Sequence, residues 1–179
     1  MSYININTTT AAPASQEMLK QIHAAFGATP NMFKAVSNSP VALKSMWGSF
    51  GALSSGALGA KLGEKIAVAV ANHNRCEYCL AAHTVLGQNA GVSGNDMSAA
   101  QVGKSTDPKT QAALTFALKI VEQRAAISQT DVEAVRSAGF NDGEIVEIMA
   151  HVALNLFTNY VNVAFNVPLD FPKVALKEA

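Results

Sequence analysis

The 179-residue chain is short of charge. Lys and Arg number 13 and Asp and Glu 13, so the formal net charge is zero, and charged residues make up only 15% against ~25% in ordinary soluble domains. Without a positive excess it has no electrostatic grip on phosphate backbones, which argues against nucleic acid as a partner. Few charges also mean little self-repulsion, which points to a surface partly covered by copies of the same chain. Cysteine is as scarce, with Cys76 and Cys79 the whole inventory. A secreted disulfide scaffold carries more cysteines and closes longer loops with them. No basic residue precedes Lys20 and no continuous apolar stretch opens the chain, so it does not begin like a signal peptide. No window reaches the ~18–20 apolar residues needed to cross a bilayer. The expected location is the cytoplasm, with no membrane partner. Asn-Gly hairpin turns and alternating strand runs are also missing, which leaves helices.

Helical patterns run almost end to end, and the length suits a single all-α domain. Residues 1–14, with three threonines and Pro13, read as an irregular lead-in, 15–172 as the domain and 173–179 as a C-terminal tail. From Ser15, Met18, Leu19, Ile22 and Phe26 fall on one helical face that Gly27 stops. Pro30 and Pro40 each open a short helix. Lys61–Ala71 reads as a buried apolar helix. Asn74 with Glu77 has the form of a capping box, which predicts a helix from about Arg75 to Asn89. Gly91 and Gly94 end it, and a loop leads to Asp107-Pro108. There a helix to about residue 125 starts, lined by Ala113, Phe116, Ala117, Ile120 and Val121. Ser128 with Asp131 opens a shorter helix ending at Gly139, and Asn141 with Glu144 opens a long apolar one to about Phe165.

The chemistry concentrates between Glu64 and His83. If one helix carries them, Cys76, Cys79 and His83 project at about 0°, −60° and −20°, all from one face. Cys79 and His83 are four residues apart, close enough for imidazole to take or share the thiol proton. With Asn74 as cap, Cys76 would fall in the first turn, where unpaired N–H groups and the positive helix end favour a thiolate. Glu64 stands twelve residues before Cys76, about 120° away on an unbroken helix. It reaches the site only if the chain bends, and Asn72-His73-Asn74 supplies the break. Other readings compete. Zinc would need two ligands beyond the Cys-x-x-Cys pair, with His83 and His73 or Glu64 as the candidates. The cysteines could also be apolar filler. His23 reads as a surface residue and His151 as a core residue or one standing behind the site. His151, Asn155, Asn159 and Asn162 form a polar stripe on the last helix that faces a pocket, a subunit interface or solvent, without a catalytic assignment.

Glu64, eleven residues, then Cys76-x-x-Cys79-x-x-x-His83 resembles the motif of the alkyl hydroperoxidase D branch of the carboxymuconolactone decarboxylase superfamily. Thr29-Pro-Asn-Met-Phe, Asn38-Ser-Pro, Asp107-Pro-Lys-Thr, the run from Glu144 to Asn162 and Asp170-Phe-Pro extend the likeness over about 15 to 172. The resemblance implies a compact all-α array and a thiol-dependent peroxidase acting on hydroperoxides. Position by position it implies Cys79 as the peroxidatic cysteine and Cys76 as its resolving partner. It assigns proton relay to His83 and Glu64. It also implies an external dithiol or thiol-protein reductant, a homo-oligomer (trimer or hexamer) and no metal, haem or flavin cofactor. The superfamily name brings a decarboxylase or lactone-ring activity as the alternative. In one respect the chain departs from the family, whose relay carries a second histidine just before the peroxidatic cysteine. Tyr78 stands there, and a phenol with an ordinary pKa of ~10 is a poor proton shuttle near neutrality. His73, at the break before the Cys-x-x-Cys segment, is the candidate to replace it.

Overall fold

A computed structural model describes residues 1–178. Among them are nine α-helices and one short 3-10 turn at Thr8–Thr10, with no strand. The helices are α1 (Pro13–Phe26), α2 (Asn31–Val36), α3 (Pro40–Leu53), α4 (Gly59–His73), α5 (Glu77–Asn89), α6 (Gly94–Ala100), α7 (Pro108–Glu122), α8 (Gln129–Ser137) and α9 (Asp142–Ala164). The all-α expectation holds. Ser128 with Asp131 and Asn141 with Glu144 close capping boxes at α8 and α9, as their spacing predicts.

The middle of the molecule is α4. Every residue from Ile66 to Asn72 is buried, because α5, α7 and α9 pack around it on different sides. A helix apolar all round requires such enclosure. At the other end an aromatic group links α1, α2 and α3. Phe33 sits 5.7 Å from Phe26 and 5.8 Å from Trp47, ring centre to ring centre. The last residues run back over the core. Lys177 N–H donates to Asn72 Oδ1 and Gln101 Nε2 donates to Ala175 carbonyl, which straps the chain end to α4.

Some expectations fail for local reasons. The predicted loop after Gly94 contains α6, capped by Ser93 Oγ accepting from Asp96 N–H. Only Met97 and Ala100 of that helix are buried, too few to show a period. The helix from 108 ends at Glu122, short of 125, because Arg124 and Ala125 take left-handed φ values of 52° and 64°. Helix α1 begins at Pro13 rather than Ser15, since proline is well placed at a first helical position.

Candidate active site

The site forms where α4 reverses into α5. Cys76 N–H donates to Ala71 carbonyl and Arg75 N–H to Asn72 carbonyl, a Schellman closure of α4. Its left-handed residue is Arg75, with φ 57°, where glycine would be easier. Cys76 is thus held at once by the hydrogen bond that closes the end of α4 and as the N-cap that starts α5. Its sulfur accepts from Cys79 N–H at 3.2 Å. The predicted Asn74–Glu77 box does not form. Asn74 caps the end of α4 and spends its side chain on Asn159 Oδ1, 2.9 Å away. Cys76 therefore lies outside the helix, in extended conformation, and the single-helix angles do not apply to it.

Cys79, in the first turn of α5, is nearly closed from solvent at 2% exposure. Burial alone pushes its thiol up. Hydrogen bonding from Cys76, the nearby His83 charge and the Asn162 and Asn159 amides outweigh that and bring it down to about 7. Cys76 moves the other way. Its thiol is raised because it donates to Cys79 and because it is buried. The expectation of a thiolate at Cys76 is therefore corrected: the negative charge settles on Cys79.

The bend at 72–76 lays α5 back along α4, and this brings Glu64 to His83. Their Oε2 and Nδ1 atoms are 2.7 Å apart. Burial works against a proton on His83, but the adjacent Glu64 carboxylate prevails and holds its pKa above the ordinary value. The four residues singled out from the sequence thus form one connected group, with an anionic sulfur and a cationic imidazole favoured together.

Tyr78 is not part of that group. Its hydroxyl accepts from Met32 N–H at 3.2 Å and its ring packs edge-on against Phe171. Burial, with Asp170 beside it, raises its pKa beyond the usual phenol value. His73 points elsewhere, with Nδ1 3.9 Å from a Glu122 oxygen. The histidine that does approach is His151. A Cβ at position 63 would meet its Cε1 at 2.8 Å, so Gly63 admits the ring beside Glu64. His151, Glu64, His83 and Asn155 line a cavity of about 140 Å³. Burial holds His151 below its ordinary pKa. A second cavity, of about 370 Å³, opens beside Cys76 and is lined by Arg75, Glu77, Asn162 and Asn166. A narrow apolar crevice of Met32, Phe33, Phe50, Leu86 and Phe171 reaches Cys79 and His83 from a third side.

The polar stripe on α9 faces inward. Asn155, Asn159 and Asn162 are all buried, and Asn162 Nδ2 donates to Cys79 Sγ at 3.1 Å. The sequence signal was present in their spacing of four and three, but the choice between pocket and solvent needed the packing of α9 on α4 and α5. Among the described residues no three Cys, His, Asp or Glu side chains converge on a point suited to a metal ion. Nor is any helix among the described residues long and apolar enough to cross a membrane.

Residues 43–123, which hold Glu64, Cys76, Cys79 and His83, match the carboxymuconolactone decarboxylase family. The match covers that segment, and the chain as a whole has the fold of alkyl hydroperoxidase D-like structures. A peroxidase-related protein from Ralstonia eutropha JMP134, described as an alkylhydroperoxidase core, superposes with a TM-score of 0.86 at 22% identity, over 94% of this chain and 92% of that one. A peroxidase-related protein from Silicibacter sp. TM1040 gives 0.82 at 24% identity, over 97% and 92%. A debrominase in complex with 2,3,4-tribromopyrrole gives 0.76 at 20% identity, over 92% of each chain. No curated protein matches the sequence significantly.

Proposed function

We propose that the protein is a thiol-dependent peroxidase that reduces hydroperoxides with Cys79 as the attacking sulfur and Cys76 as its resolving partner. The observation that carries this reading is the asymmetry of the pair. The sulfur brought down to about 7 lies one helical turn from an imidazole that pairs with Glu64 at 2.7 Å and whose pKa that carboxylate raises. In the cycle, Cys79 thiolate attacks the terminal oxygen of a hydroperoxide. The O–O bond breaks, an S–O bond forms, and the departing alkoxide takes the His83 proton to leave as alcohol. Cys76 then attacks the Cys79 sulfenic acid. A disulfide forms and water leaves, carrying the Cys76 proton and the sulfenic hydroxyl. An external dithiol or thiol protein reduces the disulfide and is itself oxidised. The cavity beside Cys76 offers that reductant an approach separate from the apolar crevice at Cys79. A cytoplasmic setting, where thiols are kept reduced, suits this cycle. Exposed Val146, Tyr160 and Val163 on α9 offer a surface for a homo-oligomer such as a trimer or hexamer.

The test is mass spectrometry after one equivalent of hydroperoxide. Wild type should gain a Cys76–Cys79 disulfide, and Cys76→Ser should trap Cys79 as a sulfenic acid. Unmodified cysteines in both proteins would sink the reading. A second reading, thiolate attack on a halogenated aromatic, draws support from the fold shared with a debrominase. Bromide release from a bromopyrrole without any response to hydroperoxide would favour it. Decarboxylation of a carboxymuconolactone that survives loss of both cysteines would favour the activity of the family name.

A further inference from the structure

We propose that Asn159 and Asn162 form an amide cradle that stabilises the Cys79 sulfur as an anion, and that the free carbonyl of Asn162 receives the hydroxyl of an incoming hydroperoxide. The cradle stands on the geometry alone; the hydroperoxide half rests on the peroxidase reading above.

Both amides are closed from solvent, Asn159 completely and Asn162 at 4% exposure. Asn162 Nδ2 donates to Cys79 Sγ at 3.1 Å, while its Oδ1 has no partner within the protein. The two atoms share one planar amide, about 2.2 Å apart by standard geometry, so the spare acceptor lies beside the reacting sulfur. Asn159 is oriented by its neighbour. Its Oδ1 accepts from Asn74 Nδ2 at 2.9 Å, which turns Nδ2 to the other side. That Nδ2 closes no hydrogen bond to any described residue, and the amide is near enough to Cys79 to help lower its pKa. A buried amide with a spare donor or acceptor weakens a fold, and an aliphatic residue would pack there without that cost. Two such amides beside one sulfur mark a concession to chemistry.

The chemistry follows from what each group can accept or donate. A thiol is a weak acceptor and a thiolate a strong one, so the bond from Asn162 tightens on ionisation. The amides therefore act on the charged form selectively. A thiolate of lower pKa loses some nucleophilicity, but with a Brønsted slope of about 0.4–0.5 the larger thiolate fraction wins below the pKa. The spare Oδ1 can accept a hydrogen bond from the O–H of R–O–O–H and hold its terminal oxygen against the sulfur. After O–O cleavage the same oxygen carries the proton of the sulfenic acid, so the contact persists without a proton moving to the amide.

The measurement is the pH dependence of iodoacetamide alkylation at Cys79, read by peptide mass in the full chain, beside the second-order rate with tert-butyl hydroperoxide. Asn162→Ala should move the alkylation inflection up by about one pH unit, cutting the thiolate fraction at pH 7 about fivefold and alkylation, after the gain in nucleophilicity, about twofold. Near pH 10, with the sulfur ionised in both proteins, the variant should alkylate about threefold faster than wild type, because its thiolate is the more basic one. The hydroperoxide rate should be about tenfold low, because the acceptor is gone. Asn162→Asp keeps the volume and supplies a second fold-competent variant, with the inflection shifted further up. An inflection within about 0.3 unit of wild type in folded variants overturns the cradle. A shifted inflection with a normal hydroperoxide rate near pH 10 overturns the acceptor role. If wild type reduces no hydroperoxide, the acceptor role falls with that reading, and the alkylation profile still decides the cradle.

Discussion

The two sides of α9 each depart from a plain amphipathic helix: the buried side packs Ile145, Ile148, Val152, Leu154 and Val161 but admits amides among them, and the exposed side keeps apolar residues. The face against α4 and α5 carries His151, Asn155, Asn159 and Asn162, three of them buried. The outward face carries Val146, Tyr160 and Val163, which keep 67%, 61% and 53% of their surface exposed. Amides placed inside lose water, and apolar side chains placed outside keep it, so each face is costly in isolation. The inner face recovers part of its cost from a sulfur that ionises against it. The outer face recovers its cost only from another surface. Under the proposed function one helix serves both purposes, its inner face the sulfur and its outer face a second copy.

The largest effect should come from the inner side. Glu64→Gln removes the charge that keeps a proton on His83, and His83 in turn ceases to support the Cys79 thiolate. Hydroperoxide turnover in a dithiol-coupled assay should fall about 100-fold; a loss under about threefold would detach Glu64 from the relay. The pH profile of wild type carries the matching signature. Below about 7 the sulfur takes up a proton, so the rate should drop about tenfold per pH unit. On the alkaline side it should decline as His83, held above its ordinary range, finally loses its proton.

An intermediate effect is expected outside. Val146→Glu with Tyr160→Glu puts charge into the apolar surface, and self-association measured by sedimentation should weaken about 100-fold or more. The Cys79 alkylation profile should stay unchanged, because neither side chain lines the site. A wild-type protein that sediments as a monomer at micromolar concentration would refute this use of the outer face.

The smallest effect concerns Asn155. Its Oδ1 is buried without a partner, so Asn155→Leu should stabilise the fold by about 1 kcal/mol and raise Tm by roughly 2–4 °C. Destabilisation of similar size in urea melts would mean the amide is satisfied and the inner face carries no strain of this kind.

The helices with strong periods and paired caps were legible from residues alone. Ser128 with Asp131 and Asn141 with Glu144 succeed because both partners lie within one turn, and the distant Lys119 and Lys109 take only the other oxygen of each carboxylate. Asn74 with Glu77 has the same form and fails. Asn159, 85 residues away, claims the Asn74 side chain, and the Schellman closure pulls the helix start to Cys76. Helix α6 was invisible because two buried residues make no pattern. For the site, the Cys76, Cys79, His83 and Glu64 spacing was enough to suggest a group. Which sulfur holds the charge was not, since that depends on Asn162 and His83 reaching Cys79 rather than Cys76.

The amino-acid sequence determined that this chain is helical, uncharged overall and equipped with one Cys-x-x-Cys-x-x-x-His segment, because periodicity, composition and short-range spacing are local properties. Tertiary structure decided the rest. It brought Glu64 to His83 at 2.7 Å, turned Tyr78 and His73 away, set His151 against Gly63 and aimed two α9 amides at one sulfur. Those outcomes depend on residues far apart in the chain sharing one enclosed space, where burial raises every cost of charge and only neighbouring charges and donors can lower it.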